Sequence, residues 1–289
     1  MSSAAGSRAI AWCNGQWGAP NELMLPLADR GLQLADGLFE TVLILAGQPQ
    51  LLNEHLQRWQ QGAALLGLAP PPAAAVLLPL IAEAVAQAGL SAGAGALRLN
   101  WSRGDSEGRG IDLPSDGAAN ASNHRFWLQL SPSQPSFAPL RAIVSQQERR
   151  NASSLLSRCK SFAYGQSIQA RREARAAGAD EALLLSTSGE LCCGSTANLL
   201  VQRRGRWLTP ALSSGCLPGV MRGRLLALNL AEERRLEAQP EAGDQWLLIN
   251  SISCRPIQQL AGQTLTVYPA AEALWRSLLS CSPAPKSGR

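Results

Sequence analysis

The stretch Ser131-Pro-Ser-Gln-Pro-Ser-Phe-Ala-Pro139 most limits what this chain can fold into. Three prolines in nine residues bar a helix or a central strand, and the stretch carries no hydrophobic period. At 289 residues the chain exceeds the usual size of one hydrophobic core, so the break reads as a linker between two domains. The expected units are a small N-terminal domain, residues 1–131, and a larger C-terminal domain, residues 138–289.

Both halves mix strand and helix patterns, which makes the fold class α/β (α+β). In the first half, Phe39–Ala46 and Ala96–Ser102 have strand character, and Arg125–Leu130 adds another strand. Asn53 is a natural N-cap for a helix reaching Leu66, and the prolines at 70–72 introduce a second helix over Ala73–Ala88 that Gly89 ends. In the second half, helices are expected over Tyr164–Ala177 and Val220–Glu233, with strands at Ala182–Leu185, Asn198–Val201 and Trp246–Ile249.

Composition removes several function classes. A formal charge of +5 with scattered arginines, two Tyr and four Phe lacks the basic, aromatic-interleaved track of a nucleic-acid binder. The longest apolar stretch, 62–90, is broken by four prolines and Glu83, so no membrane span is expected. Seven cysteines without a C-x-x-C pair, and two histidines, give no metal site. Without a secretory leader they read as reduced thiols in a cytoplasmic protein.

Of the 26 basic residues, two are lysines, Lys160 and Lys286. Lys286 falls in Ser282-Pro-Ala-Pro-Lys-Ser-Gly-Arg289, too poor in apolar residues to bury anything. Any chemistry that needs a primary amine in the folded body therefore rests on Lys160. A helix expected just after it places the amine near the positive end of a helix dipole, which disfavours the ammonium form. A neutral amine is what Schiff-base chemistry requires.

The residues around Lys160 then carry a resemblance. Lys160-Ser-Phe-Ala-Tyr164, Glu173-Ala174 and Gly178-Ala-Asp-Glu-Ala-Leu183 resemble the pyridoxal-phosphate (PLP) lysine segment of the class IV aminotransferases. That family includes branched-chain aminotransferases, D-amino acid aminotransferases and 4-amino-4-deoxychorismate lyases. Asp29-Arg-Gly-Leu-Gln-Leu-Ala-Asp-Gly-Leu-Phe-Glu-Thr41 resembles its D-R-G-x-x-x-G-D-G-x-F-E-T stretch, and His55-Leu-Gln-Arg58 its H-[LI]-x-R segment. Gly194-Ser-Thr-Ala-Asn-Leu-Leu200, Leu217-Pro-Gly-Val-Met-Arg222, and Asn250-Ser251 with Arg255-Pro256 follow in family order.

The resemblance implies the two-domain PLP fold type IV, a small α+β domain and a larger barrel-like domain that clasp the cofactor, in a homodimer. It implies Lys160 as the catalytic amine and Arg58 as a phosphate ligand, for which a bidentate guanidinium is well suited. Val220 and Met221, at a helix start, would offer backbone N–H groups to the same phosphate, with Ser251 adding a hydroxyl. Thr196 and Leu217 complete the cofactor set. Asp36 and Glu40, four apart, fall inside a motif and read as structural rather than as an acid–base pair.

Two features bear on the reaction. Five residues before Asn198 the family carries a Glu against the pyridine nitrogen, and this chain has Cys193. A thiol would leave the ring nitrogen uncharged, a thiolate would not, and Glu190 would substitute only through a change of register. The loop Ser102-Arg-Gly-Asp-Ser-Glu-Gly-Arg-Gly110 resembles the S-R-G-x-G-x-R-G loop of the aminodeoxychorismate lyases, and Arg103 or Arg109 would bind a substrate carboxylate. Branched-chain enzymes instead read Arg-Pro-Leu near position 98, where this chain has Arg98-Leu-Asn. The expected enzyme is a PLP-dependent lyase acting on a small amino-acid-like substrate, 4-amino-4-deoxychorismate, to give 4-aminobenzoate and pyruvate. Its alternatives are an aminotransferase for branched-chain or D-amino acids, or a PLP-binding protein with impaired catalysis.

Overall fold

A computed structural model describes residues 7–105, 110–113 and 123–280. The chain groups into two compact units, one of residues 1–134 with 159–163, the other of residues 135–158 with 164–289. The first division falls inside the proline-rich stretch. The five residues Cys159–Ala163, which the sequence reading placed in the C-terminal domain, pack with the first unit.

The first unit is built on β1 (Ile10–Cys13), β2 (Gln16–Gly18), α1 (Arg30–Leu34), β3 (Gly37–Leu45), β4 (Gln48–Pro49), α2 (Leu52–Leu65), α3 (Ala74–Ala88), β5 (Ala94–Ser102) and β6 (Arg125–Pro132). Its six strands form one antiparallel sheet in the order β2-β1-β6-β5-β3-β4. Side chains alternate across a pleated sheet. Leu38, Val42 and Ile44 of β3, Leu97 and Leu99 of β5, and Leu128 and Leu130 of β6 pack into one buried cluster with Trp59 of α2 and Leu77 and Ile81 of α3. Burying each such side chain contributes about 1.5–3 kcal/mol. The intervening residues Phe39, Arg98 and Trp127 fall to the opposite face.

Helix α3 ends as its glycine indicates, with Gly89 at φ 68°. Helix α2 does not start as expected. Its N-cap is Leu51, in a left-handed conformation at φ 52° and without a side-chain cap bond, so Asn53 lies within the first turn. The two-residue strand β4 ends at Pro49, and the chain must reverse sharply at Leu51 to reach the helix.

Residues 159–163 run along the N-terminal half of β3. The Phe39 N–H donates to the Lys160 carbonyl at 2.9 Å, and the Phe162 N–H donates to the Gly37 carbonyl at 3.0 Å. Gly37 permits this approach: a Cβ there would overlap the Phe162 ring and lie 2.8 Å from the Trp101 carbonyl oxygen. Gly37→Ala is therefore expected to cost about 1–3 kcal/mol by overpacking, measured by urea denaturation, and to weaken cofactor binding through displacement of the Lys160 segment. Unchanged stability and cofactor affinity would show that the segment yields freely.

The second unit contains β7 (Leu140–Arg150), α4 (Gly165–Ala176), β8 (Glu181–Ser186), β9 (Leu191–Gly194), β10 (Asn198–Arg203), β11 (Arg206–Pro210), α5 (Val220–Ala227), β12 (Ala231–Arg234), β13 (Gln245–Asn250), β14 (Ser253–Leu260), β15 (Gln263–Thr264) and α6 (Ala271–Ser280). Strands run in the order β12-β11-β10-β13-β14-β7-β8-β9, and β9 pairs back onto β10. The sheet thus curls into a barrel-like ring closed by a single pair, Cys193 with Asn198. Leu183, Leu199, Val201, Trp246, Leu248 and Ile257 from its strands form one buried cluster.

The helix expected over Val220–Glu233 stops at Ala227. Asn229 takes a positive φ of 54°, the Leu230 N–H returns to the Leu225 carbonyl, and Ala231–Arg234 instead pairs in parallel with β11. An apolar period cannot distinguish a helix's last turn from a short strand that follows it.

Candidate active site

In the first unit, three observations converge on Lys160. Its Nζ lies 4.3 Å from the centroid of the Phe39 ring. The Arg98 guanidinium carbon lies 3.5 Å from the same centroid, so the two cationic groups are within 8 Å of one another. Phe162, two residues after the lysine, stacks on Phe39 and tilts against Trp127, with centroids at 6.3 and 5.6 Å. The amine therefore stands on an aromatic floor. The expected helix after Lys160 begins only at Gly165; the lysine itself sits in the extended segment along β3 rather than at the helix mouth.

Arg58 is held on one edge by Glu40. Its Nε donates to Oε1 at 2.8 Å and its Nη2 to Oε2 at 2.5 Å, a bidentate pairing that fixes the plane of the guanidinium. His55, three residues earlier and so on the same helical face, places Nδ1 2.7 Å from Glu40 Oε2. Burial pushes the Glu40 carboxyl up, but the Arg58 charge and the hydrogen bonds from His55 and Arg58 outweigh it and hold the group at about 2. Burial, together with the Arg58 and Lys160 charges, lowers the His55 value against the upward pull of Glu40, so the imidazole is neutral and donates its Nδ1–H to the carboxylate.

Asp36 serves elsewhere. It accepts from Arg30 Nε at 2.9 Å and from Arg103 Nε at 2.8 Å. Asp36 and Glu40 thus have separate partners and do not form an acid–base pair. Arg103 is buried at 4% exposure, and it also donates to the Gly67 and Leu66 carbonyls at 2.8 and 3.0 Å. Its guanidinium braces the start of the loop. Arg109 lies outside the described residues.

In the second unit, Cys193, Thr196, Leu217, Val220, Met221 and Ser251 gather around the start of β10. Leu185 pairs with Leu191 and Leu184 with Cys193, so Cys192 is the extra residue of a β-bulge, a device that re-aims side chains. The Cys193 thiol is raised well above its ordinary value by its hydrogen bond with Cys192 and by burial, and it is a neutral S–H. Glu190 lies three residues back, beyond the bulge, where Ser188 Oγ donates to its Oε1 at 3.2 Å. The barrel-closing pair sets the register, and it is Cys193 that stands opposite Asn198.

Thr196 is exposed in the turn between β9 and β10, where the Gly194 N–H donates to the Ala197 carbonyl. The Thr196 carbonyl accepts from Asn250 Nδ2 at 3.3 Å. Ser251 follows Asn250, whose Oδ1 accepts from the Ile252 N–H and from Ser253 Oγ at 2.9 and 3.0 Å. Val220 and Met221 open α5, which starts at Gly219 without a side-chain cap and without an acidic residue in its first turn. Such a helix start leaves N–H groups oriented for an anion.

Each unit by itself carries features that PLP chemistry uses: in the first, an amine on an aromatic wall and an arginine fixed by a carboxylate; in the second, an uncapped helix start. Sequence reasoning missed the clamp of Glu40 on Arg58 and the proximity of Arg98 to Lys160. The three-residue spacing of His55 and Arg58 and the alternation along β3 and β5 are the signals from which they could have been found. Among the described residues, no cluster of His, Cys, Asp and Glu could hold a metal ion, and no helix is long and apolar enough to cross a membrane. The six described cysteines are buried and form no disulfide.

Comparison with known proteins gives a consistent family. The family model described as amino-transferase class IV matches residues 37–260. An aminodeoxychorismate lyase of Bacillus subtilis is 25% identical over 259 residues, covering 87% of this chain and 86% of that protein. A D-alanine aminotransferase of Bacillus licheniformis is 24% identical over 271 residues, covering 87% and 88%. Among solved structures, the PLP-bound form of a hypothetical aminotransferase from Mycobacterium tuberculosis superposes with a TM-score of 0.78 at 22% identity, covering 94% of this chain and 99% of that one.

Proposed function

The chain belongs to the class IV aminotransferase family, and from that premise we propose that it is a PLP-dependent lyase converting 4-amino-4-deoxychorismate to 4-aminobenzoate and pyruvate. The observation that carries this reading is the neutral, enclosed thiol of Cys193 at the position where the family has a carboxylate. A thiol does not hold the pyridine nitrogen protonated, so the ring is a weaker electron sink. Amino transfer depends heavily on that sink. An elimination that ends in an aromatic ring depends on it less, because aromatisation supplies much of the driving force. A lyase is among the relatives, at 25% identity over 87% of this chain, alongside a D-alanine aminotransferase at 24% over the same share.

In this proposal, PLP supplies the covalent attachment point and the electron sink for the substrate amine. With PLP bound, Lys160 would hold it covalently; its Nζ would take the proton from the amine-bearing carbon of the substrate and, after the elimination, return to the cofactor so that the product amine is freed. The bond from the ring to the enolpyruvyl oxygen then breaks, and the leaving group picks up a proton to become pyruvate. Arg58, the Val220 and Met221 N–H groups and Ser251 would hold the phosphate, and Thr196 and Leu217 would line the cofactor. Cys193 would stand at the ring nitrogen, where the family carries its Glu. Phe39 and Phe162 cover Lys160 and limit water around the amine. Arg109 binds a substrate carboxylate, since Arg103 is committed to Asp36 and two carbonyls. The active form is a cytoplasmic homodimer serving folate synthesis.

A second reading, an aminotransferase for branched-chain or D-amino acids, is favoured by Arg98. Its guanidinium is within 8 Å of the Lys160 amine and would suit a substrate carboxylate. One comparison decides between them. The lyase releases pyruvate from aminodeoxychorismate and does not convert its cofactor to pyridoxamine phosphate with D-alanine or L-leucine. The opposite pattern would establish the aminotransferase.

A further inference from the structure

Asn198 occupies a junction. It closes the barrel against Cys193 and pairs on its other side with Ile249, one residue before the Asn250-Ser251 corner. Its side chain reaches away from the sheet. Nδ2 donates to the Leu217 carbonyl at 2.9 Å, the first residue of the turn that enters α5. Its Oδ1 fills the space where a Cβ on Gly219 would stand, so that any side chain at 219 would overlap it.

Gly219 has φ −66° and ψ 142°, a conformation open to every residue. The glycine is therefore required by the approach of Asn198 and not by its backbone angles. Gly219 is also the N-cap of α5, the position where Ser, Thr, Asp or Asn normally satisfies the first N–H groups of a helix. By excluding those side chains, Asn198 keeps the helix start open to an external anion. The Leu217 hydrogen bond fixes where that start lies relative to Cys193 and Ser251.

We propose that Asn198 is a positioning residue for the cofactor phosphate: it holds the Leu217–Gly219 turn and excludes an internal cap from α5. This rests on the PLP reading above and goes beyond it, because Asn198 acts on the phosphate through Gly219 and Leu217. A role confined to stability would weaken binding of PLP and of pyridoxal, which lacks the phosphate, to the same degree. A phosphate-positioning role changes their ratio.

The test titrates the full-length apoprotein with PLP and separately with pyridoxal, following absorbance and intrinsic fluorescence, for wild type, Asn198→Ala, Asn198→Asp and Gly219→Ala. In each folded variant the PLP-to-pyridoxal affinity ratio is expected to fall by about 10-fold or more, the scale of one hydrogen bond to a charged group, with pyridoxal affinity within about threefold of wild type. Inorganic phosphate, which competes with PLP in the wild type, should compete more weakly in the variants. A ratio unchanged in the folded variants overturns the proposal. If Asn198→Ala fails to fold, the isosteric Asn198→Asp and the reciprocal Gly219→Ala decide by the same ratio. Should the wild type itself show no Lys160-dependent binding of PLP, the cofactor reading fails first and the proposal with it; normal wild-type binding with an unchanged variant ratio removes the proposal alone.

Discussion

A Lys160→Ala protein will lack the visible absorbance band of the PLP-loaded wild type and will release no pyruvate from aminodeoxychorismate. The sequence contains one other lysine, Lys286, so no second amine in the described residues can take over. The loss should exceed the roughly 10²–10⁴-fold effect of removing a general base alone, because in the proposed mechanism the same nitrogen carries the cofactor and moves the proton. Lys160→Arg should be equally inactive, since a guanidinium stays protonated at any accessible pH. Either band or turnover surviving in Lys160→Ala would remove this lysine from the mechanism. Near-native stability is expected in both variants: the segment is held by the backbone bonds Phe39 N–H to Lys160 O and Phe162 N–H to Gly37 O, which do not involve the amine.

The second large effect is on stability. Glu40 is fully buried and accepts from both Arg58 and His55. Glu40→Gln keeps the shape but leaves the Arg58 charge without its counter-ion, and breaking a buried pair from one side costs about 3–5 kcal/mol. The pH dependence follows from the direction of the two shifts. Glu40 is held at about 2 against an ordinary value of 4.5, so it stabilises the folded state fully above about pH 4.5 and loses that contribution as pH falls toward 2. The gap corresponds to about 3 kcal/mol. His55 is buried in its neutral form with a lowered value. The unfolded chain therefore binds its proton more readily, and stability begins to decline below about pH 6.5. Urea midpoints of the wild type should fall in two stages on acidification, and Glu40→Gln should lose the lower stage. A variant as stable as wild type at pH 7, or with the lower stage intact, would show that the pair contributes nothing net.

Much of this was legible because the chemistry imposes local patterns. Lys160 stood out by scarcity, Arg58 by the resemblance of His55-Leu-Gln-Arg58 to a family segment, and the division of the chain by the prolines at 132, 135 and 139. What escaped the sequence depends on distant contacts. Nothing local in Cys159–Ala163 says that five residues leave the surrounding unit to run along β3; that follows from Gly37 being small enough to admit Phe162. Arg103 looked like a substrate ligand because it stands in a glycine-rich loop, yet the Leu66 and Gly67 carbonyls it braces are far away in sequence. The premature end of α5 at Ala227 was hidden because Leu228-Asn229-Leu230 continues a helical apolar pattern while Asn229 turns the backbone.

The excursion of residues 159–163 also has a consequence for synthesis. The first 134 residues leave the ribosome with the N-terminal half of β3 lacking its neighbour, since the segment that completes it is made only after β7. Closing a loop of about 120 residues costs little more entropy than closing one half as long, but it must wait for translation. A nascent chain arrested before residue 159 carries no lysine side chain to react with an aldehyde. On the proposed role of Lys160, covalent capture of the cofactor is thereby reserved for chains that have progressed past the first unit.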